Sequence, residues 1–99
     1  MLSETHKYEN PAKLLKALAH PTRLCIVAGL LSGPCNVSKI KDCLNLPQST
    51  VSQQLAILRS QGIVGGVRNG TEVFYQVIDD RVEQVLKALL DSNPPLFFI

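Results

Sequence analysis

The sequence predicts a mainly α-helical domain that carries one β-hairpin, with its elements in the order α-α-α-α-β-β-α. Three observations carry this reading. Residues 46–62 place apolar side chains at Val51, Leu55 and Leu58, steps of four and three that make one buried stripe on a helix. Two β-rich runs, 63–68 and 71–77, then flank Asn69-Gly70, the strongest short-range signal for a two-residue hairpin turn. Helical spacing returns afterwards with Val82, Val85, Leu86 and Leu89.

The totals bound what such a domain can be. Ninety-nine residues make one small domain, and 45% apolar with 18% charged residues is the composition of a globular chain, with disorder confined to its ends. No run of about eighteen apolar residues is present to cross a membrane. The opening MLSETHKYENPAK lacks the apolar core of a signal peptide, so the expected compartment is the cytoplasm, where thiols stay reduced. Three cysteines, odd in number and irregular in spacing, do not form a disulfide framework. The net charge of +2 does not by itself argue for a nucleic-acid partner, although a two-fold dimer would double it on a shared face.

Taken in order, residues 1–9 read as a flexible N-terminus, 10–91 as the folded domain and 92–99 as a C-terminal tail. The first helix, about 10–18, carries Pro11, Leu14, Leu15 and Leu18 on one face. His20-Pro21 breaks it, because the residue before a proline is pushed out of the helical region. Pro21 opens a second helix to about residue 32, apolar most of the way round through Leu24, Ile26, Val27, Ala28, Leu30 and Leu31, and therefore expected at the centre of the core. Asn36 is the expected N-cap of a short third helix with Val37, Ile40 and Leu44 inward.

Asn45-Leu46-Pro47 links that helix tightly to the fourth, which Pro47 opens at its first turn and Gly62 closes. Two helices joined by about three residues make a helix-turn-helix, and a hairpin directly after it makes a wing. Gly65-Gly66 is expected to relieve twist or admit another backbone. Asp79 and Asp80 place negative charge at the start of the last helix, favourable against its dipole.

The outer face of the fourth helix directs attention to function. It carries Gln48, Ser49, Thr50, Ser52, Gln53 and Gln54, short uncharged side chains that both donate and accept hydrogen bonds. Lys and Glu are better helix formers, so solubility alone does not call for this set. Base edges do: Gln pairs in a bidentate way with adenine, and Ser or Thr with either partner. Arg68, at the tip of the hairpin, offers a cation to a phosphate or minor groove. The plain alternative is a polar helix start with no partner.

The run KLLKALAHPTRLCIVAGLLSGPCNVSKIKDCLNLPQSTVSQQLAILRSQGIV, followed by VRNGTEVFYQV, resembles the ArsR/SmtB family of bacterial winged helix-turn-helix repressors. The resemblance covers residues 11–90 and is most specific in ALAHPTRL, in LNLPQSTVSQQLAILRSQGIV and in the wing ending FYQV. It implies a homodimer paired through the first and last helices, double-stranded operator DNA as partner, and a regulator released from its operator by an effector. It puts the DNA contacts at Gln48, Ser49, Thr50, Ser52 and Gln53, with Gln54 on the same helix and Arg68 at the wing. The family often has Ser where Pro47 stands and His where Gln53 and Gln54 stand, which bears on the operator preferred. The apolar faces of the end helices agree with a dimer, since a 99-residue monomer could not cover both.

The same resemblance locates two metal motifs that this chain lacks. The family's Cys-x-Cys pair at the third helix falls on Asn36 and Ser38, neither of which replaces a soft thiolate. Its last-helix zinc site needs histidine, and DDRVEQVLKALLD has none. Sulfide-responsive members pair a cysteine of the second helix with one of the last. Here Cys25 lies one turn early and the last helix has no cysteine.

Cys25, Cys35 and Cys43 therefore remain as candidate effector thiols, suited to a thiophilic ion such as trivalent arsenic or to reversible oxidation. Against this stands cysteine as a small core hydrophobe, the reading that Cys43 beside Leu44 favours most. His20 reads as a helix-boundary residue, and His6, alone near the N-terminus, makes no metal site. The LFFI tail either caps the dimer, binds an apolar ligand or is a disordered end.

An enzyme reading finds no Ser/His/Asp set, no paired acids on facing elements and no glycine-rich phosphate loop. A winged-helix module that binds protein rather than DNA stays open on the residues alone.

Overall fold

Arg23 apart, helix α2 (Pro21–Leu30) contains no charged side chain, and the fold is built around it. The computed structural model describes residues 4–90; the LFFI tail lies outside them. Ile26, Val27, Ala28, Gly29 and Leu30 are buried, which makes α2 the central core helix that its all-round apolar pattern predicts. It is capped by His20, whose Nδ1 accepts from the backbone N–H groups of Thr22 at 3.2 Å and Arg23 at 3.5 Å. Two of the N–H groups that every helix start leaves unpaired are thereby met.

Helix α1 (Glu9–Leu18) covers one side of α2 with Leu14, Ala17 and Leu18. A 3-10 turn, Glu4–Tyr8, precedes it where the sequence suggests a flexible end. Helix α5 (Asp80–Leu89) returns at the far end of the chain, with Val82 and Leu86 buried and Asp79 as its N-cap. Among the described residues no helix is long and apolar enough to cross a membrane.

Helix α3 (Val37–Leu44) and helix α4 (Gln48–Ser60) form the helix-turn-helix. Asn36 caps α3 as expected, its Oδ1 accepting from Lys39 N–H at 2.8 Å. The turn between the helices is held by Asn45 in the left-handed region, φ 54°, with Leu46 N–H bonded to the Lys41 carbonyl. Pro47 stands just before the first helical residue of α4, one position earlier than a first-turn proline. Gly62, φ +71°, closes α4: its N–H meets the Arg59 carbonyl and Ile63 N–H meets the Leu58 carbonyl, the two bonds of a Schellman motif.

The wing departs from the sequence reading in two ways. Strands β2 (Val64–Asn69) and β3 (Glu72–Val77) pair with Asn69 opposite Glu72, so the two-residue turn is Gly70-Thr71, not Asn69-Gly70. Gly70 takes φ +67° while Thr71 stays at negative φ, the pattern of a turn that needs glycine first rather than second. A third strand, β1 (Cys35–Asn36), pairs antiparallel with β3 through Cys35–Tyr75 and Asn36–Phe74, giving the order β1-β3-β2. Two residues carry no readable period, so this strand left no mark in the sequence pattern.

Candidate nucleic-acid interface

The inward stripe of α4 is as buried as any part of the chain: Val51 and Leu58 are fully covered and Leu55 almost so. Burying three such side chains contributes on the order of 5–9 kcal/mol against the core. With one face fixed, the other must face solvent. Gln48, Ser49, Ser52 and Gln53 are exposed and Thr50 is half-buried at the edge of the stripe. No acidic residue lies on α4, and its one charge is Arg59 in the last turn. A phosphate backbone approaching this face meets no carboxylate on the helix itself.

Gln54 differs from the other five. It is half-buried, and its Oε1 accepts from Arg23 Nη1 of α2 at 3.0 Å. Arg23 was not singled out in the sequence; as the lone charge of an otherwise apolar helix, it carried a signal that was there to be read.

The fold brings the start of α3, the start of α4 and the wing together. Ser38, Gln48, Thr71, Glu72 and Tyr75 line one open groove. Asn36 ties its two walls, Nδ2 donating to Glu72 Oε1 at 3.1 Å. Arg68 is exposed on β2 opposite Val73, on the other face of the hairpin from the Asn69–Glu72 pair. The wing tip therefore carries a cation on one face and an acid on the other.

The three cysteines are thiols and do not share one location. Cys35 is buried in β1, Cys25 is half-buried in α2 and Cys43 is exposed on α3. Cys43 is thus not core filler. Val37, Ile40 and Leu44 define the inward face of α3, and Cys43 falls about a quarter turn away from it. Burial pushes the Cys25 thiol up, and likewise Cys35, where Lys39 opposes the shift and nearby Cys43 adds to it. Among the described residues no group of three or more His, Cys, Asp or Glu side chains is placed to hold a metal. At Asn36, one of the two positions that the resemblance assigns to the thiolate pair, both ends of the amide are engaged.

Comparison with known proteins decides among the classes that the residues leave open. The model of the arsR family of bacterial regulatory proteins matches residues 20–65, which span α2, α3, α4 and the start of β2. An HTH-type transcriptional regulator of Methanocaldococcus jannaschii is 45% identical over 84 residues, 84% of this chain and 94% of that one. This chain belongs to the ArsR family. Its members are DNA-binding transcriptional regulators and not enzymes. The transcriptional repressor PagR of Bacillus anthracis is 43% identical over 82 residues, 82% of each chain. The PagR crystal structure superposes with TM-score 0.79, at 41% identity over 88% of this chain and all of that one. A homodimeric winged helix-turn-helix DNA-binding domain from Mycobacterium bovis, described as a possible ArsR-family transcriptional regulator, superposes equally well, TM-score 0.79, at 28% identity over 89% of this chain and 83% of that one.

Proposed function

We propose that this ArsR-family regulator is a cytoplasmic repressor that pairs through α1 and α5 and lays its two α4 helices in successive major grooves of operator DNA. The observation that carries the reading is the exposed, uncharged, hydrogen-bonding face of a helix whose other face is fully buried. Gln48, Ser49, Thr50, Ser52 and Gln53 read base edges or hold phosphates, and Arg68 meets a phosphate or the minor groove. Pairing is supported by apolar side chains left uncovered on the end helices: Tyr8 and Leu15 beside and on α1, Leu89 and Leu90 at the end of α5. The M. bovis domain, homodimeric with the same fold, supports it as well. Selection from a randomised duplex pool tests this: a two-fold symmetric motif with half-sites one helical turn apart is expected. A pool with no enriched motif would overturn it.

For release, we infer an effector acting through thiols, with Cys43 as the entry point. Its support is that Cys43 is exposed on the helix-turn-helix, whereas Cys25 and Cys35 are half-buried and buried. A thiophilic ion such as trivalent arsenic would bind the DNA-incompetent dimer better, and DNA would weaken its binding by the same factor; peroxide would instead oxidise the Cys43 thiol to a sulfenic acid and be reduced to water. Cys25 and Cys35 join the site only if α3 moves or the partner subunit supplies a thiol. A Cys43→Ser protein should keep its DNA when arsenite or peroxide is added. If it still lets go, or if a Cys25→Ser, Cys35→Ser protein behaves as the parent does, that assignment fails for the residues concerned.

A further inference from the structure

Arg23 makes two side-chain hydrogen bonds, one to each of two neighbouring helices. Its Nε donates to the Ala17 carbonyl at 2.6 Å, in the last turn of α1, and its Nη1 donates to Gln54 Oε1 on α4 at 3.0 Å. The first bond answers a need set by the sequence. In a continuing helix the Ala17 carbonyl would be met by the N–H four residues on, but that residue is Pro21, which has none. The neighbouring carbonyls of Lys16 and Leu18 are met by the N–H groups of Ala19 and His20. Arg23 thus closes the end of α1 and places a positive charge where the helix dipole favours one.

The second bond fixes what Gln54 can do. A guanidinium only donates, so the amide oxygen of Gln54 faces Arg23 and spends one of its two lone pairs there. That bond turns the half-buried amide towards α2, whereas a bidentate contact with adenine needs its oxygen and N–H turned together to a base edge. Gln54 is a strut between α4 and α2, and Gln53 beside it is exposed.

We propose that Arg23 is a positioning residue for α4: through Gln54 it sets the rotation of that helix relative to α1 and α2. The planar fork is what allows one side chain to hold both acceptors, and an ammonium offers no such fork. A displacement of α1 against α4 must then bend or break one of the two Arg23 bonds. The inference rests on α4 being the DNA-reading helix.

A double-mutant cycle tests it. Arg23→Lys, Gln54→Ala and the double variant are compared with the parent protein for affinity to a duplex selected from a random pool and to a scrambled duplex. Arg23→Lys keeps the charge and most of the packing, and thermal unfolding checks that each variant folds. The expected result is that each single change lowers the ratio of the two affinities by about tenfold and the double change lowers it no further. Affinity for the scrambled duplex should stay unchanged. Multiplying effects in the double variant would overturn the proposal. So would a Gln54→Ala protein that loses preference at one base pair while Arg23→Lys leaves that preference intact. A parent protein with no preference for the selected duplex would instead overturn the reading on which this rests.

Discussion

Asn36 uses both ends of its amide: Oδ1 accepts from Lys39 N–H at 2.8 Å and Nδ2 donates to Glu72 Oε1 at 3.1 Å. One residue therefore starts the first helix of the helix-turn-helix and ties it to the wing. Asn36→Ala removes both bonds and should cost about 1 kcal/mol in urea unfolding, most of it from the cap. Asn36→Asp keeps the cap but sets a carboxylate against Glu72, so its stability should rise with added salt. Equal stability of the Asp variant at low and high salt would show that the wing is not held by this contact.

Gly66 lies under two side chains of the neighbouring strand. A Cβ there would sit 2.8 Å from Val73 Cγ1 and 3.4 Å from Tyr75 Cε1. Gly66→Ala should destabilise the protein by about 1–3 kcal/mol through overpacking. At Gly65 the closest atom, Ile78 Cγ2, is 3.3 Å away and belongs to an exposed side chain, so Gly65→Ala should cost less. Denaturation midpoints in the reverse order would contradict this.

Asp79 holds the start of α5 by a hydrogen bond to Arg81 N–H at 2.8 Å and a two-point contact with the Arg81 guanidinium. The Arg81 side chain beside it holds its carboxyl below the usual range, with help from the backbone N–H bond. A carboxylate whose folded value lies below its unfolded one stabilises the fold above the unfolded value, about 3.9, and loses that contribution as pH falls through the folded one. Asp79→Ala should therefore be less stable than the parent by about 1 kcal/mol near neutrality. The gap should close in acid. A gap of constant size from pH 7 to pH 2 would contradict the linkage.

The DNA contacts separate by kind. Gln53→Ala should relax base preference at one operator position, at a cost of roughly 1–3 kcal/mol. Arg68→Ala should weaken binding to all duplexes alike and reduce the salt slope by about one. A Gln53→Ala protein with unchanged base preference would remove that residue from the reading face.

Much of this was legible in the residues because the signals are local. The caps at Asn36 and Asp79 and the helix end at Gly62 are formed within three positions of those residues, and the α4 stripe follows from helical spacing alone. The misses are of other kinds. The hairpin turn slid by one residue because glycine at the first turn position serves as well as Asn-Gly at both. Cys43 was drawn inward by its neighbour Leu44, although a helix of eight residues buries only a narrow face. The Arg23–Gln54 bond joins residues 31 apart in sequence, and no periodicity reaches across that distance. The thiolate positions implied by the family resemblance were legible as substitutions, and the structure adds that the Asn36 amide is engaged at both ends.

Fluorescence anisotropy of a selected duplex and a scrambled one, each titrated with the reduced protein over a range of salt, tests the central claim most directly. The account predicts that both affinities fall steeply as salt rises, through counterion release, and that the selected duplex keeps its advantage throughout. Equal affinities, or binding that salt leaves unmoved, would contradict DNA reading by α4.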